Sequence, residues 1–122
     1  MIEANEDKLR IVFKKYFTQV KKWIEMSDCI HLIIKECELK ISENDVKWCF
    51  GMSKMTIKNE TENAQNYYKM VFVEFCEFIA RIAYIVMKQS NDPFAEKLMF
   101  IIDEIFNTFN MTRDEAEVET YE

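Results

Sequence analysis

Leu9, Val12, Phe13, Tyr16, Phe17 and Val20 recur three and four residues apart, the spacing that gathers apolar side chains on one stripe of a helix. The pattern predicts a first helix over about residues 6 to 25 with that stripe in the core. Ser27 or Asp28 offers a short side-chain oxygen to cap a second helix, along which Ile30, Ile33, Ile34 and Cys37 face inward and His31 lies on the flank. The clearest start signal is Ser42-Glu43-Asn44-Asp45, where serine caps, an acid follows three residues on, and Ile41 can staple against Val46. A third helix then carries Val46, Cys49 and Phe50 to Gly51, a residue suited to the left-handed turn that ends helices.

Residues 53 to 67 are polar, rich in Asn and Thr, and without helical period, so they read as one exposed loop. From Tyr68 to Lys88 the chain is apolar almost all round, as expected of a helix that the others surround. Asp92-Pro93 places a cap before a proline at the first helical position, and Phe94, Leu98, Ile101, Ile102, Ile105, Phe106 and Phe109 make the last helix amphipathic. The reading is an all-α fold of five helices in one domain, residues 1–111, followed by an acidic disordered tail over 112–122.

Composition sharpens this picture. One glycine and one proline in 122 residues leave little to build hairpins, bulges or phosphate-cradling loops, which excludes strand-rich folds and dinucleotide or P-loop chemistry. The net charge of -6 opposes nucleic-acid binding, although four of those charges fall in the tail and the body is nearly neutral. The acidic and lysine-bearing N-terminus lacks the apolar stretch of a signal peptide, and no charge-free run approaches a membrane span, so an intracellular, soluble protein is expected. Cys29, Cys37, Cys49 and Cys76 form no C-x-x-C pair and read as buried reduced thiols, without a metal site and without a cofactor. The triplets at Asn59 and Asn110 that fit a glycosylation pattern have no secretory context. No nucleophile and base stand at catalytic spacing, so no enzyme is expected.

The order of signals from Leu9 to Ala83 resembles a pair of EF-hand units. The pieces are Leu9, Phe13 and Tyr16, then Lys35 to Leu39 at the end of a capped helix, then Ser42, Asp45, Val46, Phe50, Ser53 and Lys54. Last comes Val71-Phe72-Val73-Glu74-Phe75 with Phe78 and Ala83, where an apolar residue begins a short strand and F-x-E-F opens the exit helix. The arrangement is similar to the degenerate EF-hand-like domain of tubulin polymerisation-promoting proteins and of several proteins of ciliary axonemes, over about 75 residues. The resemblance implies a non-enzymatic interaction or structural module of a microtubule or axoneme assembly, with tubulin or an axonemal protein helix as partner, in the cytoplasm, cilium or cytoskeleton.

A working calcium loop needs oxygen ligands at positions 1, 3, 5 and 12 and glycine at 6. With Glu74 at position 12, Asn63, Gln65 and Tyr67 occupy 1, 3 and 5, and Tyr68 stands where glycine is needed. Counted from Phe50 instead, the loop opens at Lys54 and is far too long. In the first unit residues 24 to 35 hold only one aspartate and one glutamate among apolar side chains. No calcium binding is expected.

Lys14, Lys15, Lys21 and Lys22 would project from the first helix opposite its apolar stripe, a basic strip that is either an ordinary solvated face or a dock for an acidic partner. Trp23 and Trp48 read as core or core-edge residues, with an interface role as the alternative; the eight methionines read as core filling rather than an adaptable groove. His31 reads as a solitary structural or surface histidine. An apolar groove between the first and last helices is the other surface of interest. Two further functions stay open: a calcium-responsive EF-hand regulator with unorthodox ligands, and a helical-bundle (Bcl-2-like) inhibitor that binds a partner helix. A short antiparallel pairing near Met70 to Val73 favours the EF-hand-like reading, and a continuous bundle the last.

Overall fold

The computed structural model describes residues 5–57 and 69–111. Helix α1 is Glu6–Lys14; α2 is Met26–Ile30 and widens into a π-helical segment over His31–Glu36; α3 is Glu43–Ile57, α4 is Phe72–Val86 and α5 is Phe94–Thr108. The fold is all-α, and the β-pairing found among the described residues is an antiparallel bridge between Ile24 and Met70. The proposed tail over 112–122 lies outside the described residues.

The first helix ends eleven residues before the expected boundary. Thr18 is the physical reason: its hydroxyl accepts from the N–H of Val20 at 3.3 Å and of Lys21 at 2.9 Å, while its own N–H donates to the Lys21 carbonyl at 2.9 Å. That compact turn offers the backbone an alternative to further helix. Val20, expected in the core stripe, is 86% exposed. The chain then extends to Ile24, which exchanges both backbone hydrogen bonds with Met70, at 3.2 and 2.8 Å. Helix α2 starts at Met26, ahead of the expected caps Ser27 and Asp28.

The π segment closes with Cys37 N–H donating to the Leu32 carbonyl five residues back, at 2.9 Å. Glu38 follows in the left-handed region at φ 54°, and Leu39 N–H returns to the Ile33 carbonyl at 3.1 Å. Asn110, at φ 61°, plays the same part after α5, where Asn110 and Met111 donate to the Asn107 and Phe106 carbonyls in a Schellman pattern. Neither site uses a glycine.

Ser42 caps α3 as expected, its hydroxyl accepting from Asp45 N–H at 3.0 Å. The helix runs through Gly51 to Ile57, so the expected ending at Gly51 and the loop reading of 53–57 are corrected. Ser53 and Lys54 are buried. Ser53 donates to the Cys49 carbonyl at 2.8 Å, and Lys54 meets an internal carboxylate; an inward face made of polar residues gives no apolar period to detect. Residues 58–68 of the expected loop lie outside the described residues. Helix α4 begins at Phe72 rather than Tyr68, because Met70 is held in the bridge and Val71 is extended. Pro93 precedes α5 as its N-cap, one position earlier than expected, and its carbonyl accepts from Glu96 and Lys97 at 3.0 and 3.2 Å.

Helix α4 occupies the centre, packed on α3, α5 and α1, with Phe75, Phe78, Ile79, Ile82 and Ala83 fully buried. Phe13 of α1 lies edge-on to Phe72 at 5.7 Å and tilted against Phe75 at 5.4 Å between ring centroids.

Truncating such a ring removes transfer energy and leaves a cavity, so Phe78→Ala is expected to destabilise by about 3–5 kcal/mol in urea unfolding. Glu38→Gly is expected to stabilise by about 1 kcal/mol, because a left-handed residue with a Cβ is strained there. A lower urea midpoint in Glu38→Gly would refute that account of the turn.

Candidate functional site

Glu74, expected at the twelfth position of a degenerate EF-hand loop that binds no metal, stands in the first turn of α4 and is 3% exposed. Its Oε1 accepts from the Val71 N–H at 3.0 Å, the half of a capping box that places a carboxylate at a helix N-terminus. Lys54, from the last turns of α3, brings its Nζ to 2.8 Å from the same oxygen and donates also to the Lys69 backbone carbonyl. Both side chains are almost wholly buried. Two charges removed from water at this depth are tolerable only when matched and further hydrogen-bonded, and here both conditions hold. The pair fastens the end of α3 to the start of α4.

A second clasp repeats the plan. Asp28 stands four residues after Ile24, as Glu74 stands four after Met70. Its Oδ2 accepts from Glu25 N–H at 3.0 Å and is bound by the Lys21 ammonium. Glu25 lies 3.8 Å from the same ammonium and takes the Trp23 indole N–H at 3.1 Å. Lys69, beside the bridging Met70, sets its ammonium 4.4 Å above the Trp23 ring and so ties the loops together again. With Lys21 and Asp28 about one-fifth exposed, solvent screens this clasp more than the first.

The four lysines expected as one strip do not share a helix face. Lys14 ends α1 and is exposed. Lys15 lies 5.0 Å from the Phe109 ring, Lys21 belongs to the clasp, and Lys22 donates to the Thr18 carbonyl at 3.0 Å. The strip required a helix to residue 25, which the Thr18 turn prevents. Of the expected loop residues, Asn63, Gln65, Tyr67 and Tyr68 lie outside the described residues; Glu74 alone is placed. In the first unit, the window 24 to 35 is helix from Met26 onward, and the loop precedes Ile24. Among the described residues no three His, Cys, Asp or Glu side chains group as metal ligands. His31 is an exposed residue with its Nε2 2.9 Å from Glu36.

A cluster of exposed aromatic side chains lies elsewhere. Trp48 on α3 is 51% exposed, Tyr84 on α4 62% and Phe94 at the start of α5 45%, which corrects the core expectation for Trp48. Together with Ala80 and the Glu77–Arg81 pair they line a groove of about 420 Å³. Across Trp48 and Tyr84 a neighbouring hollow of about 460 Å³ is bordered by Asp45, Ile85 and Lys88. The groove thus runs along α3 and α4 to the start of α5, and not between the first and last helices. A signal for it was present: Trp48 falls off the stripe of Val46, Cys49, Phe50 and Ser53, whose spacing defines the inward face of α3. Trp23 is half-buried in the first loop rather than on a helix.

All four cysteines are free; three are buried and Cys76 is half-buried. Burial pushes the Cys49 and Cys76 thiols up to about 11, the Asp45 carboxylate adding to the first and Glu6 to the second, while Arg81 and Arg10 oppose the rise. Burial also raises Cys29 and Cys37. The thiolate is the reactive form. Native protein at pH 8 is therefore expected to react with a thiol reagent far more slowly than free cysteine, with all four sites titrating in denaturant. Rapid stoichiometric labelling of one native thiol would contradict this.

No helix among the described residues is long and apolar enough to cross a membrane. Comparison with protein-family models, with curated proteins and with solved structures returns no match.

Proposed function

We propose that this chain is a non-enzymatic protein-interaction module built from two EF-hand-like helix–loop–helix units, one α1 with α2 and the other α3 with α4. The observation that carries the interaction is the exposure of Trp48, Tyr84 and Phe94 around one groove. Aromatic side chains that leave half their surface in water beside a concave apolar face are the usual anchors of a partner. A groove of this size accepts one or two apolar side chains from a helix or turn of a protein surface.

The antiparallel Ile24–Met70 bridge supports the EF-hand-like reading over a plain helical bundle, since it joins the two loops just before each exit helix. Lys54 on Glu74 supports a module indifferent to calcium, because the carboxylate that a loop would offer to the ion is engaged. Four free thiols suit a reducing, intracellular compartment. The microtubule or axonemal setting rests on the sequence resemblance, and tubulin is the partner to test first.

In co-sedimentation with polymerised tubulin, the full chain is expected to pellet with microtubules, and Trp48→Ala with Tyr84→Ala to weaken this by about tenfold or more. Their melting temperatures should stay close to that of the parent, since both side chains are largely solvated. Failure of the parent to pellet, or equal binding by the variant, would sink the proposal. Calcium titrated to micromolar concentrations is expected to give no saturable heat; a saturable signal would restore the calcium-responsive reading.

A further inference from the structure

We propose that the turn from Lys69 to Glu74 is a cation-binding site whose resident ligand is the protein's own Lys54 ammonium. The Glu74 carboxylate and the Lys69 carbonyl converge on one point, and Lys54 Nζ bonds to both. Two oxygens, one anionic and one from a peptide, form the kind of donor pair that hard cations seek. Glu74 is 3% exposed, so water does not balance its charge. A carboxylate that stays ionised at this depth needs a counter-charge beside it, and the chain supplies one in Lys54.

The first loop argues that the position, rather than the lysine, is the repeated feature. In both loops a carboxylate stands four residues after the bridging residue and accepts from the N–H that immediately follows the bridge, Glu25 in one case and Val71 in the other. In both loops an ammonium covers that carboxylate. Yet Lys21 lies three residues before its bridging residue, within the loop, whereas Lys54 lies sixteen residues before Met70, on the preceding helix. One chain spacing cannot account for both. The same local charge demand, met from two different places, does.

A tethered ligand competes at a high effective concentration, and a divalent ion arriving at this turn would have to displace it from the two oxygens that it holds among the described residues. The α3–α4 joint is therefore closed without any ligand that can leave. The clasp shares no residue with the groove, and its chemistry is independent of any partner bound there.

Lys54→Ala removes three methylenes and the ammonium, which together have the shape of propylammonium. Its melting temperature is expected to fall by about 10 °C or more, because a buried carboxylate loses its partner. Propylammonium chloride should then raise it by several degrees, while tetramethylammonium chloride at equal ionic strength, which has no N–H to donate, should not. The parent and a Lys54→Ala/Glu74→Gln double variant should show no difference between the two salts. If Lys54→Ala is unfolded at 25 °C, the readout becomes recovery of helical circular dichroism on adding propylammonium. Equal effects of the two salts on Lys54→Ala, or no recovery by the unfolded variant, would overturn the site.

Discussion

Two backbone hydrogen bonds between Ile24 and Met70 set the arrangement on which the remainder of this molecule depends. They hold two segments distant in sequence side by side, one just ahead of α2 and the other just ahead of α4, and fix where each of those helices starts. A pair of such bonds contributes only about 1–3 kcal/mol net and would not hold alone. It is supported from all sides: Ile24 and Met70 are fully buried, the Cys29 and Met70 sulfurs lie 4.0 Å apart, and Lys69 caps the Trp23 ring. Once the bridge is in place, Glu25 and Val71 become the N-caps of α2 and α4, and Asp28 and Glu74 fall in the first turns.

The two clasps show how depth changes the meaning of one motif. Around Asp28, residual exposure lets solvent share the charge, and the Lys21 pair adds little beyond positioning the turn. At Glu74 no such sharing occurs, and pairing becomes a condition of burial. The sequestered pair also gives direction to the packing. An apolar contact tolerates sliding, whereas an ammonium that must reach one carboxylate oxygen and one carbonyl fixes the register of α3 against α4.

Legibility in the sequence followed the kind of force at each place. The helical class, the Ser42 cap, the apolar α4 and the amphipathic α5 were readable because repeated burial and local capping leave periodic or short-range marks. The end of α1 was not, since Thr18 breaks the helix by a side-chain hydrogen bond inside a continuing apolar pattern that reaches Val20. The extension of α3 beyond Gly51 was hidden for the opposite reason: Ser53 and Lys54 point inward, satisfied by partners that no period reveals. Glu74 carries a readable helix-start signal three residues after Val71, but the cation beside it comes from another helix. The strip of four lysines dissolved with the helix that carried it. Trp48 falls off the Val46, Cys49 and Phe50 stripe, so periodicity puts it outside while its hydrophobic ring argues for the core.

The rarity of glycine takes on a constructive sense in this light. Turns that other chains make by backbone freedom are made here by side chains: Thr18 and Ser42 by hydroxyls, Asp28 and Glu74 by carboxylates, while Glu38 and Asn110 accept the left-handed positions. Joints built this way are fastened at named atoms. The groove inherits that property, because Trp48 and Tyr84 stand on α3 and α4, the two helices that the Lys54–Glu74 clasp fixes together. A binding face whose walls are already set gives up less ordering entropy when a partner arrives. On the proposed reading of the groove as a partner site, a joint closed by a tethered ammonium suits a constitutive surface rather than a switch.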